Sequence, residues 1–574
     1  MTPIPTSLVD ILRWRAAHQP HRLAYRFLVD GEYDEVTLTY EDLDRRARAI
    51  GALLQASAKA GDRALLLFPP GLDFIAAYFG CLYAKIMAVP VYPPHPARLE
   101  RTMPMIHRIA ADAKPAVALL TTSLFDGLKA QNAIRDAFGN IKLLVTDNDE
   151  GGDWAEKWQS PVIDRNDIAF LQYTSGSTSS PKGVMVSHSN LLHNLGLIEA
   201  SFGLTSKTQT VFWLPPYHDM GLIGGILQSL YTGYPVTLIP HLMFLQRPVR
   251  WLQAITRFQA TCSGGPNFAY DLCIRKVKPE QMEQLDLSTW EVAFNGAEPV
   301  YHKTLDQFAD YFAPCGFRRE AFFPCYGLAE ATLMVTGGPK ARSPVVQHLI
   351  NSGLGQNQVI ISPEKREDTR TLVSCGQNIS DQQIRIVHAD TLTPCPPDQI
   401  GEIWVSGPSV AGGYWNQPLE TVSAFGAHLS DSGEGPFLRT GDLGFLYEGE
   451  LYITGRIKNL IISDGKNHYS QDIERTVEGA HPAIRPAGCA VFSINNAEKE
   501  DIVIIAEMEY KVVVQAEDVK KAIRQAISIH HDLRIDDIRL IHPGGIPKTT
   551  SGKIRHFLCK MNYLTGALKE ITRT

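Results

Sequence analysis

Twelve residues from Tyr173 to Val184 read YTSGSTSSPKGV, with only Ser, Thr or Gly from Thr174 to Ser180 and then Pro-Lys-Gly. Small residues let backbone N–H groups come close to an anion, and hydroxyls donate further bonds. Lys182 adds a positive charge. The chemistry that suits such a loop is the cradling of nucleotide phosphates. It is not a Walker A loop, which needs G-x-x-x-x-G-K-[ST], because Lys182 is followed by Gly183. Taken alone, the stretch serves equally well as a polar turn between the apolar run Asp167–Gln172 and a strand at Val184–Val186.

Other loops raise the same question. Asn295-Gly-Ala-Glu-Pro299 follows an apolar run ending at Phe294, and Tyr326-Gly-Leu-Ala-Glu-Ala-Thr332 follows one around Phe322. Arg439-Thr-Gly-Asp-Leu-Gly444, Gly455-Arg456 and Lys548-Thr-Thr-Ser-Gly-Lys-Ile-Arg555 come later. Each has a bland reading. Glu330 suits the first turn of a helix, Asp442 suits a turn, and Lys553 suits any surface. A carboxylate is also the natural acceptor for a diol. A hard cation wants oxygen ligands, and an aromatic face suits a purine. Trp213-Leu-Pro-Pro-Tyr-His-Asp-Met-Gly-Leu-Ile-Gly224 adds a histidine, His218, beside Asp219.

The elements that must position these loops alternate. Short apolar strands (Ala64–Phe68, Gln209–Leu214, Val236–Ile239, Ala260–Ser263, Glu291–Phe294) are interleaved with helices (Leu72–Tyr83, Val249–Phe258, Val300–Phe312). That pattern predicts parallel sheets covered by helices, with ligands at the carboxyl ends of the strands. After Gly455 the segments shorten into an α+β module: helices Tyr469–Glu478 and Glu517–Ile529, strands Gly488–Phe492, Ile502–Met508 and Ile538–Ile541. Between Gly338 and Val373 a long connection, with apolar clusters at Val345-Val346 and Val359–Ile361, interrupts the alternation. Long connections in compact domains are often functional.

The bulk numbers set limits. At 574 residues the chain exceeds one ordinary core, so at least two domains are expected. A net charge of −6 argues against a general nucleic-acid binder. Nine scattered cysteines without a C-x-x-C pair argue against a disulfide framework or zinc ribbon and fit a reducing cytoplasm. The N-terminus lacks the basic start and apolar core of a secretory signal. The longest apolar region, Ala64–Pro90, is broken by Pro69, Pro70, Asp73 and Lys85, so no membrane span is expected.

In this order and spacing the loops are similar to those of the adenylate-forming superfamily, which includes acyl-CoA synthetases, firefly luciferases and peptide-synthetase adenylation domains. The resemblance covers nearly the whole chain. It implies an α/β fold: a large N-terminal domain of helix-covered sheets plus a distorted barrel subdomain (residues 1–457), and a small mobile α+β C-terminal domain (458–574). It implies ATP and Mg²⁺ as cofactors. Thr174, Ser175, Gly176, Ser177, Thr178 and Lys182 inherit the phosphate loop, although many members carry glycine where this chain has Ser179. Asn295, Gly296, Ala297 and Glu298 inherit the adenine wall, and Tyr326 stacks on the base, followed by Gly327, Leu328 and Ala329. Glu330, with Thr178, inherits the metal. Asp442 accepts from the ribose, with Ile453 and Arg456 alongside. Lys553 is the catalytic lysine on the mobile domain, and Lys458 adjoins the hinge. His218 borders the carboxylate as a catalytic residue. Trp213, Met220, Gly221, Ser263, Gly265, Phe268 and Phe294 line an apolar acyl pocket. Asp219 is the nearest candidate to pair with an amino group, but its motif is unlike that of amino-acid-activating domains.

The combination WLPPYHDMGLIGG, FNGAEP, CYGLAEAT, RTGDLGF and GRIKNLIISDGKNHYSQDIE most resembles the fatty acyl-AMP ligases. That resemblance implies activation of a medium- or long-chain fatty acid to acyl-AMP and transfer to an acyl carrier protein on a separate chain, with CoA disfavoured by an insertion near residues 339–372. The alternatives are a fatty acyl-CoA synthetase, a catalytically silent carrier-binding scaffold, and a luciferase-like oxygenase.

Overall fold

The computed structural model describes residues 5–95, 99–130, 138–147, 154–174, 181–463, 466–495, 500–509, 514–531, 533–548 and 553–571. Two helix-covered sheets form most of the large domain. One places Lys142–Val145, Val117–Leu120, Arg63–Leu67, Met87–Pro90 and Ile168–Thr174 in parallel, with Lys182–Ser187 antiparallel at its edge. The other runs Phe322–Pro324, Val292–Asn295, Cys262–Gly265, Thr210–Phe212, Val236–Leu238 and Leu23–Leu28 in parallel, closed by antiparallel Glu35–Thr39. The distorted barrel subdomain is built on a third, antiparallel sheet that contains Leu438–Tyr447 and Glu450–Arg456.

Local chemistry accounts for the elements that frame the site. Ser187 caps the helix His188–Phe202 in a reciprocal box with Asn190, and Gly203 ends it in the left-handed region. The helices Leu72–Tyr83 and Val249–Phe258 lie where the apolar spacing puts them. The strand expected at Ala260–Ser263 lies instead at Cys262–Gly265, because the Ala260 N–H is used by the Ile255 carbonyl at the end of the preceding helix (2.9 Å). Met220–Leu227 winds as a π-helix and continues into the α-helix Gln228–Thr232. The periodicity of the sequence does not mark this winding.

Beyond residue 458 the chain forms a hairpin, Leu460–Ser463 with Lys466–Tyr469, and a three-stranded sheet, Ile484–Asn495, Glu500–Met508 and Asp537–Ile541. Helices Ser470–Ala480 and Ala516–His531 pack their buried Ile473, Val477, Val519, Ile523 and Ile527 into a core of their own. The last helix is His556–Leu564.

The connection between Gly338 and Val373 is a sheet of its own, with Val346–Ile350 between Ile361–Ser362 and Thr369–Val373. It touches the C-terminal part. The Asn467 backbone N–H donates to the Gly355 carbonyl at 2.9 Å, and the Asn467 side chain donates to Asn357 Oδ1 at 2.9 Å. Arg370 pairs with Asp472 at 2.9 Å and lies over the Tyr469 ring. Of the two apolar clusters, only Val359 and Ile361 join a core that includes Leu460 and Tyr469. Val346 packs into the large domain beside Val373, because the central strand of this small sheet turns that residue inward.

Candidate active site

A cavity of about 1000 Å³ lies where these parts meet. At one end, Tyr326 Oη donates to Asp442 Oδ2 at 2.7 Å and Arg456 Nε donates to Asp442 Oδ1 at 2.6 Å. Burial, then the neighbouring Asp442, push the Tyr326 phenol up, so it remains a donor. Strand pairing fixes the geometry, since Asp442 sits opposite Arg456 on adjacent antiparallel strands. Nearby, Tyr414 Oη donates to Glu330 Oε1 at 2.9 Å, and Lys182 Nζ stands 4.7 Å above the Tyr414 ring. The Ala411 N–H holds the Glu330 backbone carbonyl at 2.9 Å. Ala297 and Thr332, neither a glycine, take φ of +68° on either side of this end. Such backbone strain is concentrated at functional sites.

In the middle, His218 Nδ1 lies 2.6 Å from Asp219 Oδ1, which also accepts the Met220 N–H at 2.7 Å. Asp219 is thereby engaged within its own loop through Oδ1. Burial raises the Asp219 carboxyl, but His218 and Lys553 outweigh it and the net shift is downward. Lys553 lines the cavity and is shifted down by burial and then by Arg456, with Asp219, Glu298 and Asp442 opposing. Glu298 Oε1 accepts the Phe268 N–H at 2.6 Å. Burial pushes its carboxyl up to about 7. Lys458 also lines the cavity, its amine lowered to about 8 by desolvation and then by Arg456.

At the other end the walls are apolar. Met220, Phe268 and Phe294 are joined by Ile198, Phe202 and Phe212. Phe294 stacks on Phe212 at 5.3 Å and on Phe202 at 6.0 Å.

Most of the residues singled out in the sequence meet here. Thr174, Lys182, Gly296, Ala297, Glu298, Tyr326, Gly327, Leu328, Ala329, Glu330, Asp442, Ile453, Arg456, Lys458 and Lys553 line the cavity, as do His218, Met220, Phe268 and Phe294. Ser175, Gly176, Ser177 and Thr178 lie outside the described residues. Asn295 stands one layer back, its side chain toward Asn267 Oδ1 at 3.5 Å.

Four residues expected in the acyl pocket are not in its lining. Trp213 is buried in the neighbouring core, stacked on Phe244 at 4.0 Å. Ser263 Oγ is spent on the Val211 carbonyl and Trp251 Nε1. Gly221 and Gly265 are glycines for packing: a Cβ would meet the Pro215 carbonyl oxygen at 2.1 Å and the Trp213 ring at 2.6 Å. The tunnel residues of helix His188–Phe202 and Tyr414 were missed. The spacing of four in Met220, Gly224 and Gln228 was the available signal for the tunnel.

The family model for AMP-binding enzymes matches residues 12–415. The chain belongs to the AMP-binding enzyme family. It is therefore an adenylate-forming ligase, a class that uses ATP. A second model, described as the AMP domain of Disco-interacting protein 2-like proteins, matches residues 458–573. The chain is 46% identical over 570 residues to the medium-chain-fatty-acid–[acyl-carrier-protein] ligase JamA of Moorena producens, covering 98% of this chain and 96% of that protein. It is 33% identical over 609 residues to the like-named ligase TtuA of Teredinibacter turnerae, covering 99% and 95%. Among solved structures it matches a fatty acyl-adenylate ligase from Legionella pneumophila in complex with acyl adenylate and pyrophosphate, at 44% identity and a TM-score of 0.76, covering 98% and 96%. Relatives 37% identical carry the description fatty-acid–CoA ligase. Among the described residues no helix is long and apolar enough to cross a membrane.

Proposed function

We propose that the protein is a fatty acyl-AMP ligase that joins a fatty acid to the α-phosphate of ATP, releases pyrophosphate, and passes the acyl group to the phosphopantetheine thiol of an acyl carrier protein. The observation that carries this is one continuous cavity, with the Asp442 carboxylate held by Tyr326 and Arg456 at one end, apolar walls at the other, and a lysine from the C-terminal part between them. The names of the carrier-protein ligases support it.

In this reading Asp442 accepts from the ribose hydroxyls and Arg456 holds Asp442 in place. Tyr326 packs on the adenine, and Lys182 with Thr174 faces the phosphates. The fatty carboxylate lies beside His218, whose Nδ1 is tied to Asp219. A carboxylate oxygen forms the new bond to the α-phosphorus. The bond from that phosphorus to the bridging oxygen breaks, and pyrophosphate leaves with the electron pair. Two anions meet in this step, so positive charge must be supplied where negative charge grows, and Lys553 supplies it. A thiolate then forms the bond to the acyl carbon and AMP leaves.

Glu330 suits Mg²⁺. One carboxylate oxygen is used by Tyr414, leaving the other, and the described residues hold no cluster of three acidic, His or Cys ligands. A lone carboxylate fits an ion completed by phosphate oxygens and water. Its chemistry is the neutralisation of phosphate charge.

The division at 457/458 is part of the same reading, with residues 458–574 acting as a mobile lid; the separate family match from residue 458 supports it. So is the disfavouring of CoA by the 339–372 segment, supported by the Asn467 and Arg370 contacts that tie segment and lid together. The second reading, an acyl-CoA synthetase, draws on the relatives so described.

One experiment separates them. Dodecanoic acid, ATP and Mg²⁺ are incubated with excess CoA or with a phosphopantetheinylated carrier protein, and products are resolved by mass. Dodecanoyl-AMP without dodecanoyl-CoA, and acylated carrier when the carrier is present, is the expected result. Abundant dodecanoyl-CoA assigns the protein to the synthetases.

A further inference from the structure

The acyl branch of the cavity has a direction. Met220, Gly224 and Gln228 stand four residues apart on one face of the helical run from Met220 to Thr232, and all three line it. The branch therefore follows that helix away from His218. The stripe spans about two helical turns, most of them wound as a π-helix, and so has room for a chain of medium length.

Phe202, Leu204 and Cys262, all buried, belong to this branch. The same three residues line a second cavity, of about 260 Å³. These shared side chains stand between the two. The far cavity is rimmed by exposed polar residues, Thr205 and Lys207 and the Lys340–Glu291 ion pair at 2.5 Å. The wall itself is apolar, since burial pushes the Cys262 thiol up to about 12 and a neutral thiol packs as a small hydrophobe. Leu204 follows the helix-ending Gly203, so its side chain can be shortened without touching a helix interior.

We propose that Leu204 and Cys262, flanked by Phe202, are the end wall of the acyl tunnel and set its upper chain length. Trimming the wall opens the second cavity to the tail of a longer chain. This rests on the fatty-acid reading above.

The test is acyl-AMP formation with hexanoic, octanoic, decanoic, tetradecanoic and hexadecanoic acids, in the wild type and in Leu204→Ala, Cys262→Ala and Gly224→Leu, each first shown to fold by thermal unfolding. Gly224 has room: a Cβ there meets only Leu333 Cδ2, at 3.5 Å, so a larger side chain intrudes on the tunnel rather than on the helix. In the wild type, tetradecanoic and hexadecanoic acids react more slowly than decanoic acid. Each wall variant raises the ratio of tetradecanoyl-AMP to octanoyl-AMP by about tenfold, as burial of the added methylenes allows. Gly224→Leu lowers the ratio of decanoyl-AMP to hexanoyl-AMP. Two wall variants guard against one failing to fold. Unchanged ratios in a folded wall variant, or a wild type that adenylates hexadecanoic acid as fast as decanoic acid, overturn the wall while Gly224→Leu still shortens the profile. If Gly224→Leu leaves the profile unchanged as well, the tunnel is misplaced; a folded wild type that forms acyl-AMP from none of the acids overturns the fatty-acid reading instead.

Discussion

The two ends of the cavity are built by different means. One end is polar, with side chains held by partners at fixed distances, as in Tyr326–Asp442–Arg456 and Tyr414–Glu330. The other end is made of helix and strand faces, where Met220, Gly224, Phe202 and Phe294 contribute area rather than hydrogen bonds. The difference separates the kinds of error each end tolerates. A polar pair fails when one atom is lost, because the remaining charge is left buried. An apolar wall changes by degrees with volume.

Substitutions sharpen this contrast. The largest effect is expected for Lys553→Ala, which removes the charge at the point where the two ends meet. Acyl-AMP formation should fall by about 10²–10³ or more, as for other single electrostatic contacts to a transition state. Bound acyl-AMP measured by calorimetry should be retained. Loss of both together would make Lys553 a structural residue.

Deleting most of residues 345–370 is the next largest change. The shortened protein should keep adenylation and begin to form acyl-CoA. A folded, adenylating protein that still ignores CoA would falsify the role given to the insertion.

Asp442→Asn should weaken ATP use by about tenfold, since a charged hydrogen-bond pair with Arg456 is lost, and should leave the chain-length profile untouched. A changed fatty-acid preference in that variant would break the division between the two ends.

The smallest effect is on stability against pH. Glu298 has its carboxyl raised by burial from 4.5 to about 7. The folded protein holds this proton until about pH 7, whereas the unfolded chain gives it up near 4.5. Rising pH over that window therefore drains stability, in proportion to the difference in bound protons. Glu298→Gln should flatten the fall of the thermal midpoint between pH 4.5 and 7. Identical slopes in both proteins would place the Glu298 carboxylate in a wetter setting.

The same contrast governs what the sequence discloses. Motifs such as GAEP and RTGD are contiguous, and their residues stay together on folding, so their meeting in one polar part of the cavity was legible from spacing. The helices Leu72–Tyr83 and Val249–Phe258 were legible because their apolar faces repeat at helical period. Trp213 and Ser263 are absent from the cavity lining because proximity in sequence to His218 or Phe268 does not say which way a side chain points, and theirs turn into the neighbouring core. Gly221 and Gly265 offer no side chain and are packed against the Pro215 carbonyl and the Trp213 ring. Tyr414 was invisible because its partner Glu330 is 84 residues away. The tunnel needs a π-helix that no local pattern announces and a helix from earlier in the chain.

The strand Thr369–Val373 belongs to both worlds. Arg370 on it is tied to Asp472, and Leu372 and Val373 with it line the cavity. If the C-terminal part docks more tightly on this strand when the cavity is filled, occupancy and docking are linked equilibria. Linkage is reciprocal. A ligand that tightens docking is itself held more tightly once docking has occurred, by the same factor, and loosening the Arg370 tie diminishes both together.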